Sequence, residues 1–191
     1  MEQSSEAFVS LIRSVVSIHD SDLDLVLSRC VNRKIPKGKL ILRKGQIANQ
    51  YFFIAAGGIR FFYEQDGREN TTWISFKNEF FTEISSLNPQ RASRFNIETI
   101  EDSELVIINK KYMDFLYAHI SAWEEFGRKI WEATAVRMID QIINFQTLSA
   151  EERYMEFMSN PEFLKKIPVK QLAAILGITP NALSRIRKNI K

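Results

Sequence analysis

The sequence predicts an α+β protein in which short helices precede a β-sandwich or barrel and a helical C-terminal half follows it. Three observations predict this order. Apolar residues recur at helical spacing over residues 5–30, and short apolar runs separated by turn residues fill Val31 to Ile108. Asp114 to Phe145 then contains one glycine and no proline, which is typical of a long helix.

The composition places the chain among folded globular proteins. Its 191 residues are 45% hydrophobic and 26% charged, which allows one large or two modest domains. No apolar run reaches the roughly 18 residues that a transmembrane helix needs, and the N-terminus lacks the basic segment of a secretory signal. We therefore expect a cytoplasmic protein without membrane association.

Residue types that carry redox, metal or catalytic chemistry are scarce. The single cysteine, Cys30, excludes an intrachain disulfide and an all-cysteine iron–sulfur or zinc site, and we interpret it as a small buried apolar residue. His19 and His119 are interpreted as ordinary residues rather than haem ligands. No nucleophile elbow, P-loop or histidine–carboxylate cluster occurs, so we expect neither an enzyme nor a bound metal or cofactor.

The elements before Lys110 follow from local periodicity. Apolar residues from Ala7 to Val16 predict a first helix, and Asp20 or Ser21 is suited to cap a second. Strands are predicted at residues 40–42, 51–54, 59–63, 71–76, 95–100 and 105–108. The Asp66-Gly67 pair predicts a β-hairpin because both residue types tolerate positive φ.

The long helix carries an apolar stripe that predicts a dimer contact. Its members are Trp123, Phe126, Ile130, Ala133, Met138, Ile142 and Phe145. Because about 20 helical residues span roughly 30 Å, we expect part of this stripe to meet a second copy of the chain. The alternative is that the helix packs only on the β domain.

Two further helices are predicted from start and stop signals. Ser149 and Glu152 form a capping-box pattern that begins one helix, which Asn160-Pro161 would end. Pro168 suits the first turn of the next.

The last helices fit the steric demands of a helix-turn-helix. Leu172 and the small Ala173 allow a close helix crossing, and Gly177 allows a left-handed turn. Thr179 can cap the second helix, with Pro180 in its first turn. Ile178 is predicted to plug the turn, and the shared core is predicted to contain Leu176, Leu183 and Ile186.

This geometry predicts which residues would meet DNA. The residues expected to reach base edges are Thr179, Pro180, Asn181, Ser184 and Arg185. Those expected at phosphates are Lys165, Lys166, Lys170, Arg187, Lys188 and Lys191. From Phe163 to Lys191 there are seven basic residues and no acidic one, as a phosphate-facing surface requires.

The order of a β domain, a long helix and a terminal helix-turn-helix resembles the Crp/Fnr family of bacterial transcription regulators. The segments that carry the resemblance are LRKG at 42–45, YFFIAAGGIR at 51–60 and IPVKQLAAILGITPNALSRI at 167–186. SRFNIETIEDSEL at 93–105 and the short lysine-rich ending are similar to the Bacteroidetes branch of the family.

The resemblance implies a fold, domain boundaries and partners. Residues 1–118 would form a jelly-roll (double-stranded β-helix) sensor domain like a cyclic-nucleotide-binding domain, 119–146 the dimerisation helix, and 147–191 a helix-turn-helix domain without a full wing. Members of the family are homodimers that read palindromic double-stranded DNA, and RNA polymerase is a further candidate partner.

The effector site is where the sequence departs from the family pattern. In members that bind cyclic nucleotides, a cassette similar to Phe81–Leu87 supplies a glutamate for the ribose, and an arginine further on neutralises the phosphate. Glu83 matches, followed by Ile84 and Ser85, but Thr82 replaces a glycine and Ser93 stands where the arginine belongs. Arg91 and Arg94 flank that position. We therefore expect an effector other than cAMP or cGMP, or none, because a buried guanidinium–phosphate pair is lost.

Two functions remain open on the sequence. The first is a homodimeric DNA-binding regulator whose β domain answers to an unidentified effector. The second is a small-molecule-sensing or protein-interaction module with vestigial DNA binding. The basic and polar residues Asn181, Ser184 and Arg185 favour the first.

Overall fold

A computed structural model describes residues 3–158, 164 and 167–190. The predicted end of a helix at Asn160-Pro161 and the predicted phosphate contacts Lys165, Lys166 and Lys191 lie outside these residues. No helix in the described ranges is both long and apolar enough to cross a membrane.

Two helices open the chain, as predicted: α1 (Gln3–Val15) and α2 (Asp20–Ser28). The α1 side chains Phe8 and Ile12 are completely buried, which accounts for the apolar spacing. The cap of α2 differs from the prediction, because His19 is the N-cap residue and makes no side-chain capping bond. Asp20 instead pairs with Arg13 at 2.6 Å.

Within the described residues, eight strands form two four-stranded sheets. They are β1 (Cys30–Ile35), β2 (Leu40–Leu42), β3 (Gln50–Ala56), β4 (Gly58–Gln65), β5 (Arg68–Phe76), β6 (Phe80–Phe81), β7 (Asn96–Thr99) and β8 (Ser103–Asn109). The orders are β1-β8-β3-β6 and β2-β7-β4-β5, and β8 pairs antiparallel with both of its neighbours. This is a jelly-roll-like arrangement, and it confirms the predicted α+β class.

The predicted hairpin between β4 and β5 is present. Asp66 and Gly67 have φ of 52° and 71°, so both central residues adopt the left-handed conformation of a type I′ turn. That turn matches the right-handed twist of the flanking strands, which explains why two long strands meet across it.

An aromatic cluster joins the N-terminal helix to the β region. The Phe8 ring stacks on Phe53 at a centroid distance of 4.9 Å and meets Trp123 edge-on at 6.2 Å. Trp123 and Phe126 stack on each other at 4.7 Å, and both are fully buried. Burial of several large rings in one place is a major source of stability in a domain of this size.

The C-terminal part begins with α4 (Lys110–His119), which ends at the extended residue Ile120. One helix, α5 (Ser121–Thr147), follows, and then α6 (Ala150–Met158). The predicted capping box is confirmed, since Glu152 N–H donates to Ser149 Oγ at 3.2 Å and Ser149 N–H donates to Glu152 Oε2 at 2.7 Å.

The predicted dimer stripe on α5 needs correction. Trp123 and Phe126 are fully buried in the core of their own chain and cannot face a second copy, and Ile130 is partly buried against that core. Ala133 is nine residues before Ile142, which places it about 180° away around the helix. The prediction assumed one continuous stripe, whereas the first half of the helix buries its apolar side within the chain.

The chain divides into two compact units. The first contains Met1–Phe61 and Ile74–Ala133, and the second contains Phe62–Trp73 and Thr134–Lys191. The second unit ends with α7 (Val169–Ile175) and α8 (Pro180–Asn189), which we call the C-terminal helix pair.

Candidate functional site

The turn of the C-terminal helix pair has the geometry that the sequence predicts. Gly177 has φ of 70°, a conformation that side chains with a Cβ rarely adopt. Its N–H donates to the carbonyl of Ala174 at 3.0 Å, and the Ile178 N–H donates to Ala173 at 2.9 Å. These two bonds form a Schellman motif, which satisfies carbonyls that the end of α7 would otherwise leave unpaired.

The second helix of the pair begins as predicted. Thr179 is the N-cap, and its hydroxyl oxygen accepts a hydrogen bond from the Ala182 N–H at 3.2 Å. Pro180 occupies the first turn, where its missing N–H costs nothing. The apolar core of the pair is buried as expected, with Leu172, Ala173, Leu176 and Leu183 fully inaccessible and Ile178 and Ile186 half-buried.

The pair exposes a polar and basic face. The predicted base-reading residues Thr179, Pro180, Asn181, Ser184 and Arg185 are all exposed, as are Lys170 and Lys188. Arg187 differs, since it is half-buried and its guanidinium lies 5.7 Å from the centroid of the Tyr154 ring. Because this cation is engaged inside the unit, it is a poorer phosphate contact than the prediction assumed.

Arg153 connects the C-terminal helix pair to the end of α5. Its guanidinium donates to the carbonyls of Leu148 at 2.6 Å and Leu176 at 2.9 Å, and lies 4.6 Å from the centroid of the Phe145 ring. A Cβ built on Gly177 would lie 3.3 Å from the same ring. The turn of the helix pair is therefore packed directly against the last turn of the long helix, a connection that the sequence pattern did not show.

The second unit also contains an apolar groove that sequence reasoning missed. It has a volume of about 460 Å³ and is lined by Trp73, Met138, Gln141, Ile142, Phe145 and Gln146. Trp73 comes from the β4–β5 hairpin, and the guanidinium of Arg137 lies 5.6 Å from its ring centroid. The groove forms because the hairpin packs next to a helix more than 60 residues further along the chain. No local pattern in the sequence could therefore have predicted it.

The predicted effector site of the first unit surrounds Glu83. This residue is 4% exposed and caps the short helix α3 (Ile84–Leu87), with its Oε1 accepting from the N–H of Ser85 at 3.1 Å and from the Ser85 hydroxyl at 2.5 Å. Oε2 is buried and has no hydrogen-bond partner among the described residues. Ile84 and Ser85 themselves are exposed.

The cavity beside Glu83 is small. Its volume is about 20 Å³, which is room for about one water molecule, whereas ligand pockets typically have about 300–1,000 Å³. Aromatic rings fill the neighbouring interior, with Phe81 stacked on Phe52 at 5.1 Å and edge-on to Phe61 at 5.7 Å. The Thr82 hydroxyl is also occupied, because it donates to the Gln50 carbonyl at 2.7 Å.

The residues expected near a ligand phosphate do not converge on this cavity. Ser93 is buried, and its hydroxyl donates to the Phe95 carbonyl at 3.0 Å. Arg91 and Arg94 are both exposed, and the Arg94 guanidinium lies over the Phe95 ring at 5.8 Å. The position that an arginine would need to fill is therefore taken by an internally bonded serine, with both arginines outside.

Comparison with known proteins identifies the β region. Residues 32–119 match the family described as the cyclic nucleotide-binding domain. This match covers the whole jelly roll after the first residues of β1 and includes Glu83, Ser93 and both arginines.

The similarity extends beyond that domain. The cyclic AMP receptor protein of Thermus thermophilus is 26% identical over 176 residues, covering 86% of this chain and 79% of the relative. The catabolite activator protein of Thermus thermophilus has a TM-score of 0.56 at 21% identity, covering 91% of this chain and 84% of that one. The c-di-GMP responsive global regulator CLP of Xanthomonas campestris has a TM-score of 0.67 at 18% identity, covering 90% and 91%.

A structure from Eubacterium rectale assigned to the Crp/Fnr family of transcriptional regulators has a TM-score of 0.71 at 16% identity, covering 90% of this chain and 83% of that one. Residues 32–119 are thus similar to the cyclic nucleotide-binding domain, and over most of its length the chain is similar to a cyclic AMP receptor protein and shares the fold of Crp/Fnr regulator structures. The Bacteroidetes-type branch stays a prediction.

Proposed function

We propose that this protein is a sequence-specific DNA-binding transcriptional regulator of the Crp/Fnr type that works in the bacterial cytoplasm as a homodimer. The observation that carries the proposal is the C-terminal helix pair, a Schellman turn at Gly177 followed by a helix capped by Thr179. This geometry supports a helix-turn-helix, a motif whose second helix enters the major groove.

The exposed face of α8 has suitable chemistry for reading DNA. Arg185 can pair bidentately with guanine, and Asn181 can pair with adenine. Lys170 and Lys188 can neutralise phosphates, which contribute affinity without sequence information. Because the helix pair contains no acidic residue, nothing on it repels the phosphate backbone.

The dimer contact is assigned to the C-terminal half of α5. Six large apolar side chains there are each 42–58% exposed: Val136, Met138, Ile139, Ile142, Ile143 and Phe145. At about 100° per residue they cover roughly half of the helix circumference. Ile139 and Ile142, with Ala135 four residues before Ile139, follow the alternating four-and-three spacing of a coiled-coil seam.

The β domain is assigned a sensing role with an effector that does not occupy the usual cyclic-nucleotide site. A cavity of about 20 Å³, the internally bonded Ser93 and the outward Arg91 and Arg94 all argue against cAMP or cGMP in that mode. RNA polymerase is the further partner expected of a regulator that activates transcription.

Selection from a pool of random DNA duplexes tests the proposal, with and without a cell metabolite extract. We expect enrichment of a pseudo-palindrome whose half-sites are one helical turn apart. The matched control is the double variant Asn181→Ala/Arg185→Ala, which should enrich no motif while still melting cooperatively. If the unaltered protein enriches no motif under either condition, the chain is a sensing or interaction module with vestigial DNA binding.

A further inference from the structure

Four cations lie on two loops of the first unit that the fold holds side by side. Arg43 and Lys44 follow β2, and Arg91 and Arg94 precede β7. All four are exposed, and none forms an ion pair with a carboxylate in the part of the chain that the structure describes. We call these four residues the cationic rim.

Backbone hydrogen bonds fix the two loops against each other. The Gly45 N–H donates to the Ser93 carbonyl, and the Ser93 N–H donates to the Gln46 carbonyl, both at 2.8 Å. An antiparallel bridge joins Ile47 to Ala92. These bonds fix the backbones of the two loops side by side. Lys44 precedes Gly45 and Arg94 follows Ser93, so the two cations lie on adjacent, hydrogen-bonded segments.

Side-chain bonds strengthen this attachment. The Lys44 N–H donates to Asn96 Oδ1 at 2.9 Å, and the Ser86 hydroxyl donates to the Arg91 carbonyl at 2.5 Å. Ser86 Oγ also accepts from the Ala48 N–H at 2.9 Å. A single buried hydroxyl thus ties α3 to both loops, so the rim residues are attached to the same short helix that Glu83 caps.

No carboxylate within the two loops balances these four charges, and the carboxylate of Glu83, next to them, is buried and bonded to Ser85. Residues 40–50 and 84–97 contain no aspartate or glutamate. Glu98, just beyond, is already paired with Arg60 at 2.6 Å. Like charges on adjacent segments repel one another, although solvent and salt screen the repulsion between exposed side chains, and a bound anion would relieve it.

We propose that the cationic rim binds a small anion that carries at least two phosphate groups. A terminal phosphate group carries a charge of about −1.5 to −2 near neutral pH, so two such groups offset most of the charge of the four cations. Arginine forks suit phosphate oxygens, and the lysine adds a point charge. The small cavity beside Glu83 is lined by Leu42, Ala48 and Ile97, which flank the two loops in sequence. The rim residues are exposed, so the anion would bind outside this cavity, on the surface of the first unit.

This inference rests on the sensing role assigned to the β domain but not on DNA reading. The test is calorimetric titration of the full chain with inorganic pyrophosphate, with sulfate as the comparison anion. We expect saturable binding of one pyrophosphate per chain and no saturable binding of sulfate. The double variant Lys44→Gln/Arg94→Gln should weaken pyrophosphate binding at least about tenfold.

A matched variant distinguishes binding at the cationic rim from a general effect of the protein's positive charge. Lys37→Gln/Lys39→Gln removes two exposed cations from the same unit and should change pyrophosphate affinity by less than about twofold. Equal loss in both double variants, or no saturable binding by the unaltered protein, would overturn the proposal.

DNA is the other source of phosphate groups, and a second measurement distinguishes it. If the rim variant binds all duplexes more weakly while its affinity for pyrophosphate is unchanged, the rim contacts the DNA backbone and the small-anion proposal is wrong. Failure of the duplex selection would leave the pyrophosphate result unaffected, so the two proposals fail separately. Cooperative melting of both double variants verifies that each is folded.

Discussion

The guanidinium of Arg153 donates a hydrogen bond of 2.9 Å to the carbonyl oxygen of Leu176, 23 residues further along the chain. The same group donates to Leu148 at 2.6 Å and lies over the Phe145 ring. Carbonyls at helix ends lack partners within their own helix, and a cation there also interacts favourably with the helix dipole. One side chain therefore stabilises the ends of α5 and α7 together and fixes the C-terminal helix pair to the long helix.

Replacing Arg153 should loosen that attachment. We expect Arg153→Leu to lower the free energy of unfolding by about 1.5–3 kcal/mol, because hydrogen bonds from a charged donor are lost and two carbonyls lose their partner. Arg153→Lys should recover only part of the loss, since one ammonium cannot reproduce the guanidinium fork. Urea unfolding measures the loss, and hydrogen exchange in α7 and α8 should accelerate.

The control for this experiment is Arg128→Leu. Arg128 is 57% exposed and pairs with Glu132 four residues away on the surface of α5. Solvent screens such an exposed pair, so the change in unfolding free energy should be small. A loss as large as that of Arg153→Leu would mean that removing any arginine from this helical region has the same effect.

Gly177→Ala should destabilise the protein more than Gly67→Ala. The two glycines have almost the same φ, 70° and 71°, so the conformational cost of about 1–2 kcal/mol is common to both. Gly67 has no atom within 4 Å of an added Cβ, whereas Gly177 has the Phe145 ring at 3.3 Å. The difference between the two variants in the free energy of unfolding, measured with urea, gives the contribution of this contact. Equal losses of free energy would show that the Phe145 ring moves aside without destabilising the protein.

The sequence predicts those features of the structure that a few adjacent residues determine. The turn at Gly177, the capping box at Ser149 and the hairpin at Asp66 are each determined by a few adjacent residues, and all three predictions are confirmed. The short strands β1 and β6 were not predicted. Half of the β1 residues are exposed and none is buried, and β6 has only two residues, so neither shows an apolar run.

Contacts between residues that are far apart in the sequence could not be predicted at the candidate sites. The apolar stripe on α5 was read correctly as apolar, but periodicity cannot show that Trp123 contacts Phe8 of the same chain. In the same way, the positions of Arg91 and Arg94 depend on how the loop beside Gly45 folds back, which no spacing rule expresses. Only the tertiary structure shows which side chains and loops contact one another within the chain.

Substitutions on α8 should separate specificity from affinity. Arg185→Ala is expected to relax discrimination at one base pair in each half-site, at a cost of about 1–3 kcal/mol on the preferred sequence. Lys188→Ala should weaken binding to all sequences alike and reduce the dependence of affinity on salt. Fluorescence anisotropy over a range of salt concentrations and single-base operator variants measures both effects. A uniform loss from Arg185→Ala would assign that residue to the phosphate backbone.

A charge at the centre of the exposed apolar arc should prevent dimerisation. Ile139→Asp places a carboxylate where two helices would bury it without a partner, so sedimentation equilibrium should detect monomers. Asp140→Asn, on the polar side of the same helix, is the control and should leave the dimer intact. If the unaltered protein is monomeric over the micromolar range, the dimer assignment fails.

Cyclic nucleotides should not bind the β domain with useful affinity. The cavity beside Glu83 is more than tenfold smaller than a typical ligand pocket of at least about 300 Å³. Calorimetry with cAMP and cGMP should therefore show no saturable heat, with the Thermus thermophilus cyclic AMP receptor protein as the comparison. Micromolar binding of either nucleotide would show that Arg91 or Arg94 turns inward to meet the phosphate.

One of the three places where the chain passes between the two compact units lies between Ala133 and Thr134, inside an unbroken helix. An insertion of one residue there would turn the rest of α5 by about 100° around the helix axis, whereas seven residues would nearly restore the original phase. A junction placed within α5 therefore keeps or loses the helical register according to the number of residues inserted. Chimeras joined within α5 should regain function with the period of the helix rather than with the length of the insert.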